Sequence, residues 1–186
     1  MWVGLTGNIG SGKSTVANLF NQYEDVVIHN SDDLAKKVIS IPDGQEFLRN
    51  AFGEEYLDFK KLSELVFNDD NSLKLLEEYS HPIVCSWLKK NYKKNKINLL
   101  ESAILFEKGL NKWCAKVIYV SSSMQRQRLY DKGLNDEEIN VRLKKQLSIC
   151  TMTKVKMSTY HIDNSLDLDS LSKTVEKIYN KIKEEE

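Results

Sequence analysis

Gly7-Asn8-Ile9-Gly10-Ser11-Gly12-Lys13-Ser14 follows directly on the apolar run Trp2-Val3-Gly4-Leu5-Thr6. The octet has the spacing G-x-x-x-x-G-K-S, and its physics decides the fold. Glycines let the backbone curl so that successive N–H groups face phosphate oxygens, and a helix beginning near Gly12 adds the positive end of its dipole. Lys13 then bridges the β- and γ-phosphates, while the Ser14 hydroxyl takes a place on Mg²⁺. Asn8, Ile9, Gly10, Ser11, Gly12, Lys13, Ser14 and Thr15 are thus the expected ATP-binding residues, with ATP and Mg²⁺ as the expected cofactors. A chance glycine-rich turn would lack the strand before it and the helix after it, which this motif requires.

Outward from the loop, strand and helix patterns alternate. Apolar, β-prone runs recur at Trp2 to Thr6, Asp25 to His29, Ile97 to Glu101, Ala115 to Val120 and Tyr160 to Asp163. That alternation predicts an α/β fold, a doubly wound parallel sheet with helices on both faces. Val16 to Tyr23 suits the helix after the loop, and Asp32 through Leu48 a helix interrupted near Ile41-Pro42-Asp43-Gly44. From 52 to 95 the chain reads as an amphipathic helical insertion, with Leu62, Leu65, Val66, Leu73 and Leu76 spaced for one buried face. Residues 123–148 hold Arg126, Arg128, Lys132, Arg142, Lys144 and Lys145 around Gly133-Leu134-Asn135. These cations are either a solvated face or a lid that closes over the triphosphate and excludes water. Leu168 to Glu186 reads as a closing helix. The whole chain, 1–186, is expected to be one domain with the insertion and the lid as subdomains.

Composition excludes several classes. The chain has 186 residues, 41% hydrophobic and 29% charged, with 27 basic against 27 acidic side chains. Such a balance gives no global attraction to nucleic acid or membrane, so any anion site is local. There is no apolar run of about 18 residues and no room for a signal peptide ahead of the first strand, which points to the cytoplasm. Cys85, Cys114 and Cys150 form no metal-binding spacing and read as reduced, mostly packed thiols.

A phosphate loop also serves switch GTPases and larger ATPases. No N-K-x-D base-reading segment is present, since Asn95-Lys96-Ile97-Asn98 fails at its last position, and a coupled ATPase needs more chain. A small-molecule or nucleotide kinase remains, holding an acceptor in line with the γ-phosphate. Asp32, just past the second strand, is either a helix N-cap or the carboxylate that takes the acceptor's proton. Glu101, ending the third strand, is placed for the outer shell of the magnesium. His81, ahead of Pro82, is either a structural break-and-cap residue or part of the acceptor site. Phe106 and Glu107 are expected to open a helix, where Glu107 either binds substrate or complements the helix dipole.

Several separated segments resemble, in order, the dephospho-coenzyme A kinase family of phosphate-loop kinases. They are Gly4 to Ser14, Asn30-Ser31-Asp32-Asp33-Leu34-Ala35, Leu62 to Phe67, Leu76-Glu77, His81-Pro82-Ile83-Val84, Glu101 to Glu107, Arg142 to Gln146, and His161-Ile162-Asp163-Asn164-Ser165. The resemblance implies a fold of the phosphate-loop, nucleoside-monophosphate-kinase-like type and transfer of the ATP γ-phosphoryl to the ribose 3′-hydroxyl of dephospho-CoA. It implies Asp32, Lys13 and Arg142 as catalytic residues, and Asp32, His81, Leu105 and Glu107 at the acceptor. The chain departs from the family pattern with Asn30 and Glu101 where aspartates are usual and Ala103 where proline is usual. Alternatives of the same architecture are a nucleoside or nucleoside-monophosphate kinase, and a nucleotide-binding regulatory protein without turnover.

Overall fold

The computed structural model describes residues 1–145 and 150–185; the end of the expected lid, 146–148, and the terminal Glu186 lie outside the described residues. In chain order its elements are β1 (Trp2–Gly7), α1 (Lys13–Phe20), β2 (Val26–Asn30), α2 (Ser31–Ser40), α3 (Pro42–Ala51), α4 (Phe59–Asn68) and α5 (Asp70–Lys90). There follow β3 (Ile97–Glu101), β4 (Lys116–Ser121), α6 (Gln125–Tyr130), α7 (Asp136–Lys145), α8 (Thr151–Lys156), β5 (Tyr160–Asp163) and α9 (Leu168–Glu184). They form two compact units, one of Met1–Asn30 with Lys93–Glu186 and one of Ser31–Tyr92. No helix among the described residues is long and apolar enough to cross a membrane.

The first unit is built on a five-stranded sheet in the order β2-β3-β1-β4-β5, with every pairing parallel. All five expected apolar runs are strands. Parallel strands covered on both faces read as continuous apolar segments, which is why Val3, Leu5, Ile97, Leu99 and Leu100 are fully buried. Val16 and Phe20 of α1 pack on one side of this core together with Leu171, Val175, Ile178 and Ile182 of α9. The α9 residues recur at helical spacing, and Asp167 caps that helix by accepting from the Ser170 N–H at 2.9 Å. Helix α1 starts earlier than Val16 because Gly12 turns in the left-handed region, φ 88°, and launches it directly from the loop. Phe106 and Glu107 open no helix. They lie in turns, where Lys108 N–H donates to Ile104 O at 3.0 Å, and a left-handed Gly109 then leads into a short 3₁₀ helix at Leu110–Trp113.

His29 on β2 is buried beside the Trp2 ring, with centroids 5.0 Å apart. The Asn98 amide nitrogen donates to Lys93 O at 2.9 Å and to Lys96 O at 3.0 Å, which fixes the orientation of that side chain. Its Oδ1 therefore accepts from His29, and Nε2 at 3.1 Å is the protonated nitrogen. Burial pushes the His29 imidazole below the ordinary histidine range, with the Asn98 hydrogen bond opposing. Below about pH 6.5 the unfolded chain takes up a proton that the folded chain refuses, so this stability is present above that pH and is lost as pH falls. One such proton is worth up to about 1.4 kcal/mol per pH unit. Urea unfolding midpoints should fall between about pH 6.5 and 5, and His29→Gln should flatten that slope. An unchanged slope in the variant would assign the acid sensitivity elsewhere.

The second unit is helical and begins at Ser31, so α2 and α3 belong with the segment that sequence alone starts at residue 52. Ile39, Leu48 and Leu62 form its buried centre, surrounded by Phe47, Phe52, Tyr56, Val66, Leu76 and Tyr79. Phe47 and Tyr79 stack with centroids 4.0 Å apart. The Pro42 ring opens α3, where its missing N–H costs nothing. Pro82, by contrast, sits inside α5 and does not break it. One absent donor is tolerated because Leu76 and Tyr79, on the preceding turns, are fixed in the unit's core.

Candidate active site

The phosphate loop leaves the carboxyl end of β1, the central strand, between β3 and β4. In a doubly wound sheet this edge is where ligands bind. Two glycines are required by close approach. A Cβ on Gly7 would lie 2.2 Å from Val120 O, and one on Gly12 would lie 2.1 Å from Asn164 Nδ2. Lys13 curls over the loop, its ammonium donating to Gly7 O at 2.8 Å.

The outer side of the loop is held by side chains from distant elements. Arg128 on α6 donates to Ser11 O at 3.1 Å and to Asn164 O at 2.9 Å, and the buried Asn164 amide donates to the same Ser11 O at 2.9 Å. In a trans peptide the carbonyl and the following N–H point in opposite directions. Fastening Ser11 C=O outward thus aims Gly12 N–H into the concave side, where a phosphate oxygen would sit. Asn8 is tied as well, its amide donating to Thr151 Oγ1 of α8 at 3.3 Å.

Ser14 and Glu101, far apart in sequence, meet at the sheet edge. The Ser14 hydroxyl donates to Glu101 Oε1 at 3.0 Å, and the Asn30 amide donates to Glu101 Oε2 at 3.0 Å. Register pairs Asn30 with Glu101 on adjacent strands, so an aspartate at 30 would set two carboxylates side by side. The amide instead supplies a donor and leaves one negative charge. A hydroxyl beside a buried, oriented carboxylate is an oxygen donor set suited to Mg²⁺, which keeps several waters and is otherwise held by substrate phosphates. Among the described residues no three His, Cys, Asp or Glu side chains converge as a self-sufficient metal site.

The remaining expected site residues divide between the units. Asp32 and His81 lie in the helical unit. Asp32 is exposed in the first turn of α2, one residue inside its start, with Ser31 Oγ 3.4 Å from Oδ1. Position there favours a carboxylate through the helix dipole, but the N-cap place is not its own. His81 is half-buried on α5, its ring nitrogens 3.8 and 3.9 Å from Cys85 Sγ, and it caps no helix end.

Leu105, Glu107 and Arg142 lie in the sheet unit. Leu105 is fully buried, and its Cδ2 occupies the space a Cβ on Gly4 would need, so its side chain serves packing rather than an open site. Glu107 is paired through Oε1 with the buried ammonium of Lys154, while Oε2 is buried without a hydrogen-bond partner. Arg142 is exposed on α7 and makes no ion pair among the described residues. Of the other lid cations, Arg126 bonds within the lid to Asp136 at 2.7 Å and Asn140 at 2.8 Å, and Arg128 turns to the loop. The three cysteines are free thiols; Cys150 is exposed rather than packed, and burial pushes Cys114 up to about 12.

Sequence reasoning did not single out Arg128, Asn164 or Lys154 for the site. Arg128 reads as one of several lid cations, and Asn164 as a loop residue after the last strand. Only the three-dimensional arrangement brings both behind Ser11.

Residues 1–170 match the dephospho-CoA kinase family. A dephospho-CoA kinase of Aquifex aeolicus is 34% identical over 97% of this chain and 96% of its own length. One of Fusobacterium nucleatum is 32% identical over 95% of this chain and 96% of its own length. The crystal structure of a Thermus thermophilus protein superposes with a TM-score of 0.82 at 29% identity, covering 97% of both chains. With its phosphate loop, sheet order and full-length similarity taken together, the chain belongs to the dephospho-CoA kinase family.

Proposed function

We propose that this chain transfers the γ-phosphoryl group of MgATP to the ribose 3′-hydroxyl of dephospho-CoA, the last step of coenzyme A synthesis, in the cytoplasm. The observation that carries the reading is the meeting of Ser14, Glu101 and Asn30 beside the Lys13 loop, in a chain that matches the kinase family over residues 1–170.

Phosphoryl transfer asks little covalent chemistry of the protein; positioning and charge stabilisation do most of the work. The loop N–H groups from Gly10 to Thr15 take the triphosphate, held in shape from behind by Arg128 and Asn164. Lys13 leaves Gly7 O for the phosphates. Magnesium, when bound, neutralises phosphate charge, and Ser14 would hold it with Glu101 orienting one of its waters. Asp32 accepts the proton of the attacking hydroxyl, and Arg142 supplies lid charge. The helical unit, with His81, selects the acceptor. Nothing in this scheme requires Leu105 to touch substrate.

Measuring ADP release with dephospho-CoA against a panel of nucleosides and nucleoside monophosphates tests the reading. The expected outcome is turnover with dephospho-CoA and little with the others. Preference for a nucleoside or its monophosphate would change the acceptor, and ATP binding without turnover of any acceptor would make the chain a regulatory protein.

A further inference from the structure

Lys154 is 2% exposed, an unusual place for an ammonium group. Its partner is Glu107, which follows β3 in the turns at the carboxyl edge of the sheet. The pair closes only one carboxylate oxygen. Glu107 Oε2 is buried and has no hydrogen-bond partner, a costly state for a charged acceptor and one that a bound ligand would relieve. One helical turn before Lys154, Thr151 on the same short helix accepts from the Asn8 amide of the phosphate loop at 3.3 Å. Helix α8 is thereby fastened at once to the nucleotide loop and to Glu107.

Charge explains why the pair is useful here. Both substrates of a nucleotide kinase carry phosphates, and a bare carboxylate at this edge would repel them. Neutralised by Lys154, Glu107 keeps a directional acceptor without adding net charge. Its unpartnered oxygen suits a neutral donor, a hydroxyl or an amide N–H, and is unsuited to a phosphate.

We propose that Lys154 is a positioning residue for the acceptor: it holds Glu107 by Oε1 so that Oε2 accepts a hydrogen bond from a neutral hydroxyl or amide of the phosphate-accepting substrate. This rests on the kinase reading above and adds a residue to it. Lys154 touches Glu107, and substrate is reached through Glu107 alone.

The test is a double-mutant cycle on the full chain with Glu107→Gln, Lys154→Met and the two combined, and with Lys154→Arg as a charge-keeping control. Each is assayed for acceptor KM and kcat, ATP Kd by calorimetry and Tm. Dephospho-CoA is the acceptor used, unless the parent protein turns over only another member of the panel, in which case that acceptor is used. The parent's acceptor profile judges the kinase reading; the cycle judges Lys154. Loss of one hydrogen bond to a charged group predicts an acceptor KM about tenfold higher for Glu107→Gln and for Lys154→Met. ATP Kd should stay within about twofold, and the double variant should be no worse than either single one, as expected for residues acting as one unit. Lys154→Arg, with its donors displaced on a planar head, should raise acceptor KM by about threefold or more with charge retained. A fall in Tm with acceptor KM unchanged, additive effects in the double variant, or an equal rise in ATP Kd would each overturn the proposal. Where Lys154→Met does not fold, an unchanged acceptor KM in Lys154→Arg overturns it alone.

Discussion

Replacing Lys13 by alanine should abolish phosphoryl transfer while leaving a folded protein. The ammonium donates to Gly7 O within the loop, and in the proposed reaction it exchanges that carbonyl for phosphate oxygens. Removing a preorganised cation from developing phosphate charge commonly costs on the order of 10²-fold or more in rate. The loop itself does not depend on this side chain for its shape. Gly7 and Gly12 permit the close approaches, and Arg128 and Asn164 hold Ser11 O from outside. Thermal unfolding of Lys13→Ala should therefore stay within a few degrees of the parent, while single-turnover ADP formation collapses. Near-parental turnover in the folded variant would remove the kinase reading altogether.

Asp32→Asn should lower kcat by about 10²-fold or more, the usual range for a positioned general base. The substitution keeps size and some hydrogen-bonding capacity, but removes basicity and charge. Helix α2 starts at Ser31, so Asp32 is not the cap, and Asp33 retains a negative charge in the same first turn. The expected stability loss is only a dipole effect on an exposed group, roughly 0.3 to 1 kcal/mol. Asn30 offers no replacement carboxylate, because it is an amide already committed to Glu101. A kcat close to that of the parent would take the base assignment away from Asp32, and Glu101, which accepts from Ser14, would be the next to vary.

The two experiments probe residues that differ in how they can be read. Lys13 is legible because its partners are its neighbours: glycines, lysine and serine within eight positions define a complete binding loop. Asp32 is legible as a residue at a strand end, yet cap and base look alike in one dimension. The structure narrows this by placing the helix start one residue earlier. His81-Pro82 illustrates the opposite case. A proline suggests a break, but local propensity is a weak force against the burial of Leu76 and Tyr79, and α5 runs through it.

What the sequence determined by itself was whatever its physics keeps local: five strands from continuous apolar runs, the amphipathic closing helix, and a phosphate loop whose chemistry is contiguous. Tertiary structure alone decided which side chains hold that loop from behind and which partners its carboxylates take. Ser14 meets Glu101 across 87 residues, Arg128 reaches Ser11 across 117, and Asn164 reaches it across 153. Lys154 finds Glu107 across 47. A charged or polar side chain in one dimension looks the same whether water or a partner solvates it. Burial at Glu101, Asn164 and Lys154, in a sheet that folds β1 between β3 and β4, is what makes a specific partner costly to lack there.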